Sequence, residues 1–578
     1  MYLALSRPQR YILAGKIAAE RRIMQIPATQ QAVQLVGPDQ LQLNSNKPVQ
    51  QPGPHQILCR VEVCGLCFSD LKLLKQFSTH VRKSPIIAGL DGAVLKEIPS
   101  YVTNETPTVP GHEAVVTVVA AGPGVQHCKI GGRYLVQTDY RWLHTANSNA
   151  AFGYNFEGAL QEFVLLDERV YVAPDGQSMM IPITSEKSSS ALALCEPWAC
   201  VEDAYVVTER TTLKPGGRLL IVADTKPDAC VMDKLLKQAA PTKFACVSTF
   251  PPPPALSMQP EKFDDLAVVP ENAFDDILYF GANADAVEKL FAKLAAHGLL
   301  IICQCGLKFG RPVTTAVGRV HYGGIRIVGT PGSEPTDALR CIPATGEIRK
   351  GDNINVIGAG GPMGVMHVVR NLCQGVPGVS VYAGDLSDER LAALSAIAGP
   401  IAQKNHLGYH PYNAKTQPPT GVAFNYAAVM APVPALVAAA VEQMAMRGII
   451  NIFAGIPATV SGPINLDTYC AKGCYFIGTS GSTLADMLAL KRKVENGQLD
   501  TNVSVAAVSG LEGAIEGIRA VEKQQIPGKI LVYPACKGLG LTPLPSLGKS
   551  HPQVFQALEN GLWTTRAETA LLAACGRK

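Results

Sequence analysis

The sequence has no apolar run of roughly 18 residues or more, so no segment reads as a transmembrane helix. It has no long block of like charge. The formal net charge is only +4 over 578 residues, which leaves out the basic footprint of a nucleic-acid binder. No secretory signal is present, and the sixteen cysteines lack the close spacing of a small disulfide framework. That usage reads as a reducing compartment, the cytoplasm. What is present is 47% apolar content, suited to well-cored globular units. At roughly 150 residues per domain, the length suggests about four of them.

Residues 1–23 carry Arg7, Arg10, Lys16, Arg21 and Arg22 against the single acid Glu20. They read either as an organellar leader or as an extension ahead of a natural beginning at Met24. Residues 56–64 alternate as a half-buried strand does, and 115–120 and 133–137 behave alike, with turn signals at Gly122-Pro123-Gly124 and Gly131-Gly132. This β-rich unit extends to about residue 190. Pro251–Pro254 reads as a loop, because strand–helix patterning resumes on both sides.

From residue 200 the pattern is β-α-β, and it occurs twice. Lys214–Asp224 matches Lys350–Gly360 in polarity, Phe274–Leu278 matches Phe424–Ala428, His297–Ile302 matches Arg447–Ile452, and Gly324–Thr330 matches Gly473–Thr479. The offset of the last three pairs stays near about 150 residues, which indicates an internal duplication. The two sheets would lie side by side or merge into one. The second copy carries Gly358, Gly360, Gly361 and Gly364 after its first strand, where the first has Ala223–Ala229 with Asp224 and Asp228. Without glycine a backbone cannot approach a pyrophosphate closely, and the two acids repel it. A dinucleotide is therefore expected in the second copy only.

Four short segments carry the chemistry. They are Cys64-Gly-Leu-Cys67-Phe-Ser-Asp70, Gly111-His112-Glu113, Cys195-Glu196-Pro197 and Gly358-Ala-Gly360-Gly-Pro-Met-Gly364. The first three offer a thiolate, an imidazole and carboxylates, the ligand set of a catalytic zinc that keeps one position open. The fourth is one residue longer than G-x-G-x-x-G, but it follows a predicted strand over 353–357 and precedes a predicted helix over 365–373. A second strand, 379–383, leads to Asp385, placed to accept from an adenosine ribose 2′-OH; this favours NAD, with NADP as the alternative that the nearby Arg390 would serve.

With these segments in this order, the chain resembles the zinc-dependent medium-chain dehydrogenase/reductase superfamily over about residues 25–200 and 340–535. The spacer between Asp70 and His112, Cys195–Cys200 and the Gly-Gly-Pro-Met-Gly turn are more similar to its sorbitol dehydrogenase and sorbose-phosphate reductase branch. The resemblance implies an α/β plus β fold: a GroES-like catalytic domain interrupted by two tandem Rossmann-like domains, the first degenerate. The expected organisation is 1–23 extension or leader, 24–200 GroES-like zinc domain, 201–340 degenerate unit, 341–500 NAD(P)-binding unit, 501–540 return to the catalytic domain, and 541–578 tail. A helix over 515–522 and a strand over 528–533 support the return, so Tyr533 should lie near 56–64; the tail should add a helix around 552–571.

The resemblance also implies roles. Cys67 and His112 become zinc ligands, with Cys64 as the rival thiolate. Glu113 and Glu196 compete for the remaining protein ligand, and Glu196 alternatively holds a water. Asp70 orients the imidazole. Ser69 starts a proton relay, whose outer part departs from many relatives because Lys72 replaces a histidine. One catalytic zinc is expected and no structural one, since only Cys128 lies between 113 and 190. The expected activity is hydride transfer between NAD(P) and a secondary alcohol, polyol or ketose. Lys72, Lys75, Arg82 and Lys83 raise the option of a phosphorylated substrate. An inactive scaffold and a zinc-independent quinone reductase are the competing readings. No nucleic-acid or membrane partner is expected, and a homo-oligomer is the family's habit. Met366, Trp198 and 427–441 read as core.

Overall fold

The computed structural model describes residues 26–248, 250, 260–479 and 481–576. The basic stretch 1–23 and Pro251–Pro254 lie outside them. Among the described residues no helix is long and apolar enough to cross a membrane.

Strand Gln56–Gly65 is buried on both faces rather than one. It lies inside an eight-stranded sheet, with Glu113–Ala121 along one edge and Phe163–Asp167 along half of the other. The polar residues that produced the alternation are bonded internally. Gln56 reaches the Asp167 carboxylate, and Glu62 holds Arg133. After about 300 residues of other structure the chain returns to this sheet: Lys529–Val532 pairs antiparallel with its end, Val532 opposite Cys64 and Leu531 opposite Gly65. Tyr533 is thereby fixed near that strand, as expected.

The intervening chain forms two six-stranded sheets, each with strand order 3-2-1-4-5-6 and every ladder parallel. The first runs from Arg218–Ala223 to Arg326–Thr330, the second from Asn353–Ile357 to Tyr475–Ile477. Such sheets need helices on both faces, which explains the continuous apolar runs that mark their strands in sequence.

The sheets share no ladder, but they meet around a local two-fold axis. Val313–Thr315 pairs antiparallel with Gly462–Ile464, and Thr314 faces Pro463, its own counterpart in the duplication. Gly329 packs on Cys470, and its counterpart Gly478 packs on His321. A Cβ at Gly329 would sit 2.2 Å from the Cys470 sulfur, so the two edges close on each other as tightly as backbone allows. One apolar core runs through both units, from Leu220 and Ile301-adjacent Ile302 to Ile450 and Phe476. This is the self-complementary geometry of a homodimer interface, contained in one chain.

The tail departs from expectation. In place of one helix over 552–571 there are two, Pro552–Gln556 and Thr565–Ala574. Asn560 and Gly561 take positive φ between them, and Thr564 caps the second helix by accepting from the Ala567 amide. Glu568 of that helix accepts from the amides of Ser189 and Ser190 and from the Tyr533 hydroxyl. Cys536 and Cys575 are joined as a disulfide, a departure from the reading of all cysteines as reduced thiols. Met366 and Trp198 are fully buried core residues.

Candidate active site

Cys67 ends the loop after strand Gln56–Gly65 and caps helix Phe68–Gln76. Its amide donates to Asp70 Oδ2 at 3.1 Å, so the acid that closes the first helical turn also fixes the loop. The other Asp70 oxygen lies 3.0 Å from His112 Nδ1. That contact turns the ring so that Nε2 faces Cys67. The Ser69 hydroxyl stands between them, 3.1 Å from the Cys67 sulfur and 3.1 Å from His112 Nε2.

Glu113 opens strand Glu113–Ala121 directly opposite Gly65. The position opposite must be glycine, because a Cβ there would come within 2.1 Å of Glu113 Oε2. Glu113 Oε1 takes the ammonium of Lys529 at 2.5 Å, in a pair whose side chains are 0% and 8% exposed. Glu113 Oε2 is buried without a partner. A buried carboxylate oxygen left unpaired is costly, which favours a cation beside it. Ligand atoms of Cys67, His112 and Glu113 all lie within 4.8 Å of one another. Thiolate, imidazole and carboxylate at that spacing fit a zinc ion. Glu196 is not in that set. It sits on the first turn of helix Cys195–Val206. Cys64 is also outside it; its thiol points to the Gly65 carbonyl, and burial holds its pKa well above the usual thiol value.

The charges around the cluster are strongly perturbed. Burial pushes the Glu196 carboxyl up to about 7, with Glu113 and Asp139 adding to the rise against His112. Burial works against a charged His112 ring, yet the Asp70 carboxylate outweighs it and lifts the pKa well above the ordinary value. Burial likewise opposes the Lys529 ammonium, and Glu113 more than compensates. Lys529 was not foreseen from sequence; its only signal was a lysine opening an otherwise apolar strand. Tyr154 was also missed. Its ring lies 5.8 Å from that of His112, and burial raises its hydroxyl pKa.

The glycine-rich turn joins strand Asn353–Ile357 to helix Pro362–Cys373, which starts three residues earlier than the expected 365. Gly358 takes φ +88°, Gly361 caps the helix, and Gly364 packs on the Gly358 carbonyl. The Gly360 amide donates to Asp385 Oδ2 at 2.9 Å. Asp385 is the last residue of strand Ser380–Asp385, and its Oδ1 accepts from the amides of Leu386 and Ser387. The carboxylate therefore shapes the turn from below. In the first copy, Asp224 accepts from the Tyr279 hydroxyl and Asp228 caps its own helix. The acids there are absorbed into local structure, whereas the glycines of the second copy place no side chain over its turn.

A cavity of about 300 Å³ lies between the two features, with Cys67, Phe68 and Lys529 on one side and Gly360, Gly361, Pro362, Met363 and Arg390 on the other. The four cations considered for a phosphate are mostly engaged elsewhere. Lys75 pairs with Asp39 and Glu522, and Arg82 with Asp139. Lys83 is buried and donates to the carbonyls of Val102 and Thr106, and burial lowers its pKa to about 8. Lys72 is exposed and donates to the Tyr322 hydroxyl at 3.2 Å.

Residues 53–175 match the alcohol dehydrogenase GroES-like domain. The chain is 29% identical over 250 residues to the uncharacterized protein YggP of Escherichia coli (strain K12), covering 40% of this chain and 58% of that one. It is 30% identical over 155 residues to L-sorbose 1-phosphate reductase of Klebsiella pneumoniae, covering 26% and 37%. Both matches thus span less than two thirds of the relative's length. Among solved structures, the crystal structure of 2R,3R-butanediol dehydrogenase from Bacillus subtilis superposes with a TM-score of 0.49 at 16% identity, covering 88% of this chain and 100% of that one.

Proposed function

The chain belongs to the zinc-type medium-chain dehydrogenase/reductase superfamily, and from that premise we propose that it is an NAD(P)-dependent dehydrogenase of secondary alcohols or polyols. The observation that carries this reading is the convergence of Cys67, His112 and Glu113, with Cys67 across one small cavity from Gly360 and Gly361. We assign residues 24–200 and 501–540 to the catalytic domain, 341–500 to a Rossmann-type NAD(P) domain and 201–340 to a degenerate copy of it. Cys67, His112 and Glu113 would hold a single catalytic zinc, with Glu196 behind them.

When bound, zinc would supply Lewis acidity at an alcohol oxygen and a nicotinamide dinucleotide would supply a hydride acceptor. The chain's own residues do the rest. Asp70 keeps the His112 proton on Nδ1, leaving the Nε2 lone pair for the metal. Ser69 Oγ, touching both ligand atoms, is the first acceptor for the substrate hydroxyl proton. Lys529 neutralises half of Glu113 and thereby keeps the charge of the ligand set low. Gly360 and Gly361, without side chains, would leave room for a pyrophosphate beside the turn, where helix Pro362–Cys373 presents its positive end. Asp385 at the end of the second strand favours a free ribose hydroxyl over a 2′-phosphate, hence NAD. With Lys75, Arg82 and Lys83 in internal pairs, a neutral polyol fits better than a sugar phosphate.

The test is metal analysis together with NADH titration and an alcohol panel. About one zinc per chain, NADH binding and alcohol oxidation support the reading. Zinc without nicotinamide binding would turn it into a scaffold, and turnover without zinc would turn it into a quinone-type reductase.

A further inference from the structure

The degenerate unit has lost its nucleotide turn, but it still reaches the helix Phe68–Gln76 that Cys67 caps. Helix Val317–Tyr322 belongs to that unit, and its last two side chains cross to the other two. His321 Nδ1 lies 3.2 Å from the carbonyl oxygen of Ile452, at the carboxyl end of the fifth strand of the second sheet. Open α/β sheets bind their ligands outside those carboxyl ends. The Tyr322 hydroxyl stands 2.9 Å from where a Cβ of Gly455 would be, just beyond the same strand end. On its other side the hydroxyl accepts from Lys72 Nζ at 3.2 Å. Lys72 is one helical turn after Phe68 on the same face of helix Phe68–Gln76, and Phe68 lines the cavity beside Cys67. Tyr322 is 42% exposed despite these contacts.

The duplication supplies a control within the molecule. The contact of Gly478 with His321 is repeated as Gly329 with Cys470. The counterparts of His321 and Tyr322 are therefore Cys470 and Ala471. The copy with the glycine turn carries small residues at this place, facing a sheet end that has no metal-ligand loop above it. The copy without the turn carries the large polar pair, facing the sheet end that has one.

Resting on the dehydrogenase reading above, we propose that Tyr322, held by Lys72, is a specificity-determining residue donated by the degenerate unit, and that it recognises a second hydroxyl of a polyol substrate. The phenol offers one donor and one acceptor, and the ammonium behind it has protons to spare. A substrate carrying oxygen on the carbon next to the reacting one gains that contact; a simple alcohol does not.

The test compares 2,3-butanediol with 2-butanol, which differ by one hydroxyl, in wild type, Tyr322→Phe and Lys72→Met. Tyr322→Phe keeps the ring and its packing. The ratio of kcat/KM for diol over mono-alcohol should fall about tenfold in Tyr322→Phe and fall in the same direction in Lys72→Met. Calorimetric titration of the zinc-loaded protein with the diol should show a correspondingly weaker Kd in Tyr322→Phe. An unchanged ratio and Kd in an active enzyme would overturn the role of Tyr322 and leave the dehydrogenase reading intact. A wild-type protein that turns over neither alcohol and binds no diol would refute the dehydrogenase reading itself, and this inference with it.

Discussion

Replacing Lys529 by methionine separates two roles that one ion pair combines. The ammonium is bonded to Glu113 Oε1 at 2.5 Å and to the Leu66 carbonyl at 2.7 Å, and both charged side chains are essentially buried. Methionine fills nearly the same space without charge. Removing one partner of a buried pair leaves an uncompensated charge and costs roughly 3–5 kcal/mol. The metal-free protein should therefore unfold at a clearly lower temperature. Zinc should behave in the opposite sense. Lys529 is a cation beside the proposed ligand set, so its loss removes a repulsion and leaves the full Glu113 charge for the metal. Each tenfold gain in zinc affinity adds about 1.4 kcal/mol of ligand stabilisation at saturation. The assay is a thermal melt of wild type and Lys529→Met, with chelator and with excess zinc. The variant should be less stable than wild type without metal and should gain more from zinc than wild type does. A variant that melts like wild type without metal, or gains less from zinc, would show that Glu113 is not the group both cations compete for.

Further outcomes follow from the same geometry. Cys67→Ser and His112→Ala should each lose zinc and turnover while keeping the circular dichroism of the folded chain, since each removes one of three protein ligands; wild-type zinc content in either refutes the assignment. Gly360→Ala places a Cβ 2.6 Å from the Arg390 Cβ and 2.9 Å from Asp385 Oδ2, so NADH affinity should fall at least about tenfold with zinc content unchanged, and intact NADH binding would count against the turn as the pyrophosphate site. Asp385→Ala should weaken both dinucleotides by loosening the turn and weaken NAD more than NADP, by roughly tenfold for a lost charge-assisted bond; an unchanged preference shows that the carboxylate serves only the turn. His367 is pushed down to about 3, first by burial and then by Arg370. It stays neutral in the folded chain and takes up a proton on unfolding below about pH 6.5. Its contribution is full above that pH and is lost as pH falls towards 3. His367→Gln should therefore show a shallower drop in melting temperature between pH 7 and pH 4 than wild type, and parallel curves would contradict the burial argument.

Much of the site was legible in sequence because its parts are local. Cys67, Ser69 and Asp70 sit within one loop and helix start, so their mutual contacts are fixed by spacing alone. The glycine turn and Asp385 are likewise set by one strand–turn–helix–strand unit. The duplication was legible because parallel sheets buried on both faces leave repeated apolar runs at a constant offset. The tail helix was misread for a related reason: helical periodicity persists across residues 552–571, but a positive-φ turn at Asn560 and Gly561 breaks it.

Spacing could not show what depends on chain segments meeting from afar. Composition and pattern determined a β-rich domain carrying the candidate metal ligands, two α/β units and which of them keeps a glycine-rich turn. Only the tertiary structure brought Lys529 under Glu113 across 416 positions and Tyr322 onto Lys72 across 250. A buried ion pair and a single lysine–phenol contact leave no periodic trace, because each rests on a single residue at each end. The two-fold packing of the α/β units was equally out of reach: duplication fixes that two similar edges exist, but whether they meet depends on how closely Gly329 and Gly478 let the backbones approach.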